Sequence, residues 1–386
     1  MYDVIVVGAR CAGAITALLF ARNGYRVLLL DRARFPRDTL STHYLHQPAI
    51  AKLRDWGLLD AITATGCPPL DQAVYQVGSL RVEGCAEPTG GIETAYAPRR
   101  YLLDEILVRA AVEAGAELRE GTSVEALLTD GDRVTGVRCG GHDESAQLVV
   151  GADGMRSTVA DLVKAPLTVE DPTLSCVYYA YWLDVPAKFE VYEAEGSAAG
   201  TIPTNDGATL VATYFPQSDF DRVRADAESA YLENIRRTSP ELFERVSAGR
   251  RVERLRGTGD QRNYFRQAAG PGWVLVGDAG HHKDSITARG ISDAFTQAEL
   301  LVTAIGEDLY DDGETRRALE WFGKQRDRLL AEIYQTTLVT ARLSVDHERV
   351  ELLRTLTATP AGARRYFSTV AGICSVNELY ALERAS

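Results

Sequence analysis

The sequence predicts an α/β fold in which one parallel sheet is interrupted by antiparallel strands and followed by C-terminal helices. Three short apolar runs, near residues 5, 150 and 275, each suit a parallel strand that is buried on both faces. Stretches that alternate between apolar and polar residues separate these runs. Because no single strand can bury both faces alone, the three runs must converge into one sheet. The antiparallel strands then form a second, inserted domain.

The first 31 residues predict one βαβ unit. Asp3–Gly8 and Arg26–Asp31 have the pattern of buried strands, and Ala12–Arg22 between them has the composition of a helix. Asn23 and Gly24 are typical of a helix end. A strand, a turn, a helix and a second strand within this length form the unit that binds dinucleotides in many α/β proteins.

The turn in this unit fits the dinucleotide fingerprint GxGxxG at its first and third glycines, while Arg10 replaces the second. Gly8 permits a tight turn, and Gly13 lets the helix pack against the strand. The amides that open the helix attract a diphosphate, and Asp31 accepts hydrogen bonds from a ribose. A plain glycine turn is the competing interpretation. The predicted contacts are Gly8, Arg10, Cys11, Ala12, Gly13 and Asp31.

The rest of the chain alternates between predicted helices and strands. Helices are expected at 43–66, 102–114, 222–248 and 292–307, with one long charged helix and a short ending from about 314. Antiparallel strands are expected at 71–97 and 172–216.

Three later segments match the motifs of a known family in their order along the chain. Arg100 heads a predicted helix, Asp153 lies in a DG motif, and Gly277-Asp278 forms a GD motif ahead of a helix that starts near Gly290. With the fingerprint, they resemble the FAD-dependent aromatic hydroxylases, or group A flavoprotein monooxygenases. That superfamily includes geranylgeranyl-reductase-like flavoproteins. The likeness spans roughly residues 1–300.

The resemblance implies a Rossmann-type FAD-binding domain with an inserted antiparallel β-sheet substrate domain and C-terminal helices. It places Arg100 near the FAD diphosphate, where it can pair bidentately, and Arg32 near the adenosine. Asp278 would accept hydrogen bonds from the ribityl chain. The expected FAD-binding domain comprises 1–70, 98–170 and 271–313. The sheet domain comprises 71–97 and 171–270, and the C-terminal helical segment comprises 314–386.

The resemblance also implies an activity. It is that of a monooxygenase which hydroxylates or oxidises an aromatic or polycyclic small molecule through a flavin hydroperoxide, in secondary metabolism. NAD(P)H is the candidate electron donor, and a flavin reductase is a candidate partner. The protein would exclude water and hold the substrate near the flavin. Two alternatives stay open: a flavin-dependent reductase or dehydrogenase acting on C=C bonds, and a flavin-binding protein without turnover.

Several positions depart from the family's pattern. Ala160 stands in place of an arginine tied to nicotinamide use. Ser285 replaces a proline that shapes the pocket beside the flavin, and Ser292 replaces an asparagine, whereas Gly290 is retained. Flavin halogenases carry WxWxIP and geranylgeranyl reductases carry YxWxFP where residues 200–203 read GTIP. The sequence therefore favours neither of these two subclasses, although it excludes neither.

His281, His282, Lys283 and Asp284 form the most polar cluster beside the expected flavin, and one of them is expected to orient substrate or shuttle a proton. His281 is the candidate catalytic residue, because histidine titrates near neutral pH, while His282 is expected to cap and solvate a loop. For His43 and His46 a functional and a structural role stay open. A metal site is not expected, because a third ligand at suitable spacing is missing.

Aromatic residues on the middle antiparallel strands are the candidate substrate contacts. Alternation places Tyr179 and Tyr181 on one face, and Tyr178 and Trp182 on the other. One face would line an apolar cavity over the flavin and stack on a planar substrate. Packing in the sheet core is the competing interpretation. The candidates are Tyr179, Tyr181 and Tyr214.

Composition excludes several other partners. The formal net charge of −12 argues against nucleic acid and anionic membranes, both of which need a basic face. The six cysteines include no CxxC pair, so neither a zinc site nor a redox dithiol is indicated, and a reducing compartment is expected. With a strand pattern from Tyr2 and no long apolar run, we expect a cytoplasmic protein without a membrane segment.

Overall fold

The computed structural model describes residues 1–381, apart from the side chains of residues 308, 380 and 381. The last five positions of the predicted C-terminal segment, 382–386, lie outside the described residues.

Two large sheets and one small sheet account for the strands. In chain order the strands are β1 (Tyr2–Val7), β2 (Val27–Asp31), β3 (Ala73–Val77), β4 (Leu80–Gly84), β5 (Glu117–Glu120), β6 (Val124–Asp130), β7 (Arg133–Cys139), β8 (His142–Gly151), β9 (Leu167–Asp171), β10 (Ser175–Leu183), β11 (Phe189–Ala194), β12 (Ser197–Pro203), β13 (Thr209–Pro216), β14 (Arg250–Arg251), β15 (Arg256–Thr258), β16 (Asn263–Arg266), β17 (Ala269–Gly270), β18 (Trp273–Leu275) and β19 (His281–His282).

Helices cover the sheets and form the C-terminal part of the described chain. They are α1 (Cys11–Arg22), α2 (Gln47–Asp55), α3 (Leu59–Thr63), α4 (Arg100–Glu113), α5 (Thr158–Leu162), α6 (Phe220–Ala225), α7 (Ala227–Thr238), α8 (Pro240–Ala248), α9 (Gly290–Ile305), α10 (Asp312–Ala341), α11 (His347–Leu356), α12 (Pro360–Ala371) and α13 (Val376–Ala381).

The first sheet gathers the three apolar runs, as the sequence predicts. Its strands lie in the order β17-β18-β8-β1-β2-β5. The five strands from β18 to β5 run parallel to one another, whereas β17 is antiparallel to β18. Val4, Ile5 and Val6 of β1 are fully buried, because helices α1, α4 and α9 cover one face of this sheet, while β6, β7 and α5 cover the other. The predicted α/β class is confirmed. The domain boundaries stay a prediction.

The second sheet has the order β14-β10-β13-β12-β11-β3-β4 and two apolar faces. It is antiparallel except that β11 runs parallel to β3, a pairing that alternation alone does not predict. Tyr179 and Tyr181 face a core that includes Phe367 of α12, whereas Tyr178 and Trp182 pack in the core that α7 and α8 cover. The predicted alternation along β10 is therefore observed.

Two predicted helices are shorter or more broken than expected, and the C-terminal ending contains more helices than expected. The 222–248 helix is divided because Asp226 and Ser239 each accept a hydrogen bond from an amide three residues ahead and start a new helix. The 43–66 helix begins only at Gln47, after the extended cap residue His46. Beyond α10, Asp346 and Thr359 cap α11 and α12, so the predicted short ending contains three further helices within the described chain.

None of the helices in the described chain combines the length and the apolar character that a membrane span requires.

Arg326 ties α10 to the sheets. Its side chain is fully buried, and it donates hydrogen bonds to the carbonyl oxygens of Arg266 at 2.6 Å and Gly280 at 3.4 Å. We expect Arg326→Met to lower the free energy of unfolding by about 2–4 kcal/mol, because it leaves a buried carbonyl without its charged donor. Urea unfolding measures this loss. Arg317→Met, on the exposed side of the same helix, should change it by less than about 1 kcal/mol, and equal losses would contradict the assignment.

Candidate functional site

One elongated cavity of about 940 Å³ crosses the carboxyl ends of the parallel strands. It passes Asp31 at the end of β2, Gly8 after β1, Asp153 after β8 and Asp278 after β18. This edge of a parallel sheet is where α/β proteins bind nucleotides. The size is at the upper end of the range for small-molecule and cofactor sites.

Glycines bring three motif segments into contact beside this cavity. Gly8 has a φ of +99°, and a Cβ there would lie 2.5 Å from the carbonyl oxygen of Ala152. A Cβ at Gly13 would lie 1.7 Å from the carbonyl oxygen of Gly8, and one at Gly277 would lie 2.8 Å from Cβ of Ala12. The glycine turn, the DG motif and the GD motif therefore pack more closely than a side chain at any of these three glycines would allow.

The first turn of α1 is open toward the cavity. Arg10 occupies the cap position without capping the helix, and Cys11 and Ala12 line the cavity. The Arg10 guanidinium instead donates to Asp104 at 2.5 Å and to the Arg37 carbonyl at 3.3 Å. The first amides of α1 thus have no side-chain acceptor in the described chain, which is the arrangement that binds phosphate.

Asp31 supports the glycine turn directly. Its carboxylate accepts hydrogen bonds from the amide of Ala9 at 2.8 Å and from that of Ala33 at 2.7 Å. Asp31 and the neighbouring Arg32 both line the cavity. The ribose and adenosine contacts expected of these two side chains stay a prediction.

Arg100 is held beside the α1 turn by a buried carboxylate. Its guanidinium donates to the two oxygens of Asp104 at 3.0 and 3.1 Å, and Asp104 also accepts from the thiol of Cys11 at 3.2 Å. Burial raises the pKa of the Cys11 thiol well above its usual range. Arg100 lines the cavity in an orientation that its sequence neighbour Arg99 does not share.

The aspartates of the DG and GD motifs differ in whether the protein already donates hydrogen bonds to their carboxylates. Asp153 accepts hydrogen bonds from Ser157 Oγ at 2.5 Å and from the Thr158 amide at 2.6 Å, so its carboxylate is used at the start of α5, which Ser157 caps. Burial raises the pKa of Asp153. Asp278 lines the cavity, and its segment is fixed where Gln297 accepts the Gly277 amide. Asp278 is therefore the better placed of the two aspartates to bind ligand hydroxyls.

His281 and His282 lie on opposite sides of β19, and only His282 lines the cavity. His281, 2% exposed, packs between Phe265 and Tyr334. Burial and the nearby Lys283 lower the pKa of His281 well below its usual value. The catalytic assignment of His281 is not supported, because its ring does not reach the cavity.

The three candidate substrate tyrosines lie behind the cavity wall instead of on it. The hydroxyl of Tyr179 accepts a hydrogen bond from the Ser41 amide, and that of Tyr214 lies 3.2 Å from Ser285 Oγ; both serines line the cavity. Tyr181 bonds to His43, whose pKa burial lowers to about 3. These tyrosines position the wall, and none of the three lines the cavity.

Lys283 of the predicted polar cluster lines the cavity, and so does Tyr44, which was not predicted. Lys283 forms a buried ion pair with Asp293, and Tyr44 stacks on Phe189. Lys283 precedes α9, and Asp293 lies in the first turn of that helix. The ion pair between them could not be predicted from their spacing alone, because it depends on how the intervening turn folds. Gly290 lines the cavity as expected. In the described chain no group of three metal-ligating side chains is clustered.

Comparison with known proteins identifies the family. A family described as an FAD binding domain matches residues 1–337. This chain belongs to that family. It is a FAD-dependent oxidoreductase, and the resemblance to the flavoprotein monooxygenase superfamily is confirmed.

Relatives and solved structures cover nearly the whole chain. It is 26% identical over 366 residues to 6-methylpretetramide 4-monooxygenase of Streptomyces rimosus, covering 90% of this chain and 85% of that protein. It is 25% identical over 344 residues to a digeranylgeranylglycerophospholipid reductase of Methanosarcina acetivorans, covering 85% and 81%. A flavin-dependent brominase superposes with a TM-score of 0.84 at 18% identity over 100% of both chains, which shows a shared fold.

The residues present fit FAD. The uncapped α1 turn and Arg100 would hold the diphosphate, and Asp278 would hold the ribityl hydroxyls. Each of these groups lines the same cavity.

The glycine turn yields a prediction for cofactor binding. Gly8→Ala adds a Cβ against Ala152 in a backbone conformation that L side chains rarely adopt. We expect FAD to bind roughly 10- to 100-fold more weakly, as measured by quenching of flavin fluorescence. Gly24→Ala is the control, since Gly24 has a similar φ of +86° but open space around it. Equal effects of both substitutions would contradict this account.

The buried histidine predicts how stability depends on pH. His281 stays neutral in the folded protein, whereas the unfolded chain takes up a proton below pH about 6.5, so stability falls as the pH drops through that value. His281→Phe should make this decline shallower by about 1.4 kcal/mol per pH unit. Urea unfolding between pH 5 and 7 tests it, with the exposed His142→Gln as control. An unchanged slope would refute the prediction.

Proposed function

We propose that this FAD-dependent oxidoreductase is a monooxygenase that hydroxylates or oxidises an aromatic or polycyclic small molecule, in secondary metabolism. The observation that carries the proposal is the continuity of the cavity. It extends past Asp278 into a polar and aromatic end formed by the 40–44 loop, the 282–288 segment and the first turn of α9. A nucleotide anchored at the glycine turn leaves that end for its redox ring and a substrate.

The chain's own groups have distinct tasks in this proposal. When bound, FAD supplies the redox chemistry with dioxygen. Arg100 and the amides of α1 bind and neutralise the diphosphate, and Asp278 orients the cofactor through its hydroxyls. Tyr44 and Ile291 offer apolar surface to a planar substrate and exclude water.

The antiparallel sheet supports the wall of this end. The hydroxyls of Tyr179 and Tyr181 reach the 41–43 segment, and that of Tyr214 reaches Ser285. Two cavity segments are thus held by the sheet domain. A substrate between them would touch both halves of the protein, which favours recognition of a large planar molecule.

The electron donor is part of the proposal. NAD(P)H is the candidate, delivered directly or through a flavin reductase as partner. Ala160 is buried with its amide bonded to Ser157, so it offers no cation to a nicotinamide nucleotide. This favours delivery through a partner reductase.

A second candidate function is reduction of C=C bonds. The similarity to a digeranylgeranylglycerophospholipid reductase over 85% of this chain favours it. The two functions differ in the fate of oxygen: only a monooxygenase inserts an oxygen atom into product.

The test is turnover of FAD-loaded protein under isotopically labelled dioxygen. NAD(P)H, with and without a general flavin reductase, is supplied together with a panel of polycyclic phenols and isoprenoid olefins. We expect one labelled oxygen atom per product molecule. The rates of NAD(P)H oxidation and of oxygen uptake should both rise when substrate is present. Mass spectrometry of the products provides the measurement.

The other outcomes separate the alternatives. A product that gains two hydrogens without labelled oxygen would favour the C=C reductase. Flavin that is never reduced by any donor would favour a flavin-binding protein without turnover. The Gly8→Ala protein, in which we expect FAD binding to be weakened, serves as the control for reaction catalysed by loose flavin.

A further inference from the structure

Asp284 is a buried carboxylate at the end of the cavity where the proposed substrate binds. Only 1% of the residue is exposed, and it is among the residues that line the cavity. Its oxygens accept hydrogen bonds from Ser175 Oγ at 2.7 Å, from the Ile286 amide at 3.0 Å and from Gln261 Nε2 at 3.4 Å. The carboxylate is therefore held in one orientation by groups that carry no charge.

No cation in the described chain forms an ion pair with Asp284. The neighbouring ammonium of Lys283 is bonded to Asp293, and His282 uses Nδ1 to contact the Arg262 carbonyl. Burial raises the pKa of Asp284 to about 6, although Ser175 and His282 oppose the shift. The nearby Cys176 and Tyr214 are uncharged, since burial raises the pKa of both groups.

Ser285 places a hydroxyl beside this carboxylate on the cavity wall. Its Oγ donates to Gln261 Oε1 at 2.5 Å and lies 3.2 Å from the hydroxyl of Tyr214. The same glutamine contacts Asp284 through Nε2. Gln261 therefore holds Asp284 and Ser285 side by side.

Capping alone does not explain the charge. Asp284 caps the short turn Ser285–Thr287, but an asparagine or serine caps equally well without burying a carboxylate. A buried, unpaired carboxylate on a cavity wall is a common property of functional sites. Its raised pKa suits proton transfer near neutral pH.

We propose that Asp284 is the base that accepts the proton of a phenolic or enolic hydroxyl on the substrate, while Gln261, which accepts a hydrogen bond from Ser285, holds the carboxylate in place. In this step the substrate O–H bond breaks, an O–H bond forms on the carboxylate, and the electron pair stays on the substrate oxygen. The added electron density activates the ring toward oxygenation. The proton leaves to solvent after product release. The inference rests on the proposed function and names its substrate class: ionisable phenols and enols.

The test measures how phenol binding depends on pH. The holoprotein is titrated with a panel of weakly acidic mono- and polycyclic phenols, led by 4-methylphenol, between pH 5 and 8, and binding is followed by calorimetry and the flavin absorption spectrum. These phenols stay neutral in this range, so only the protein titrates. We expect about tenfold tighter binding above the pKa of Asp284 than below it, because a carboxylate is the stronger acceptor.

Two variants and a control separate a base from a structural group. Asp284→Asn keeps the cap but should give pH-independent phenol binding. Ser175→Ala removes a donor to the carboxylate, which raises the pKa of Asp284 and should move the midpoint to higher pH. Asp143→Asn, an exposed carboxylate paired with Arg138, should behave as wild type. Retained FAD absorbance shows that each variant is folded.

Several results would overturn the inference. These are pH-independent binding to the wild type, the wild-type midpoint in Asp284→Asn or Ser175→Ala, or no binding of any phenol in the panel. Failure of the proposed function has a different signature. In that case phenols bind with the expected pH dependence, but no labelled oxygen enters a product.

Discussion

The close approach of three backbone segments beside the first helix is the constraint on which the rest of the site depends. Gly8 lies against Ala152, and Gly277 lies against Ala12, with no room for a side chain at either glycine. This contact brings the ends of β1, β8 and β18 to one line, so that groups from distant parts of the chain face one cavity. Asp31 strengthens it by accepting the Ala9 amide.

The sequence was sufficient for features that local pattern determines. Buried apolar runs predicted the parallel sheet, and alternation predicted the two faces of β10. Helix ends were not predicted where a single capping side chain, such as that of Asp226 or Ser239, starts a new helix although the periodic pattern of apolar residues continues. His281 and His282 show a different limit. Which of the two histidines can reach a ligand depends on which side of a two-residue strand faces the cavity. No property of either residue alone contains that information.

Charges around the cavity are handled in two ways. Near the glycine turn, Arg10 and Arg100 share the buried carboxylate of Asp104, so positive charge is concentrated where an anion would bind. At the opposite end, Lys283 is paired with Asp293, whereas Asp284 is held only by neutral donors. One end therefore favours binding of a fixed anion, and the other preserves a carboxylate able to gain and lose a proton.

The parallel pairing of β11 with β3 has a consequence for biosynthesis. Ala73 lies opposite Phe189, so the β3–β4 hairpin emerges from the ribosome long before the strand that completes its sheet. Until then one edge of β3 has no partner, and such edges template wrong pairings between nascent chains. Expression yield in a heterologous host will accordingly depend on chaperone capacity and translation speed across the stretch between these strands.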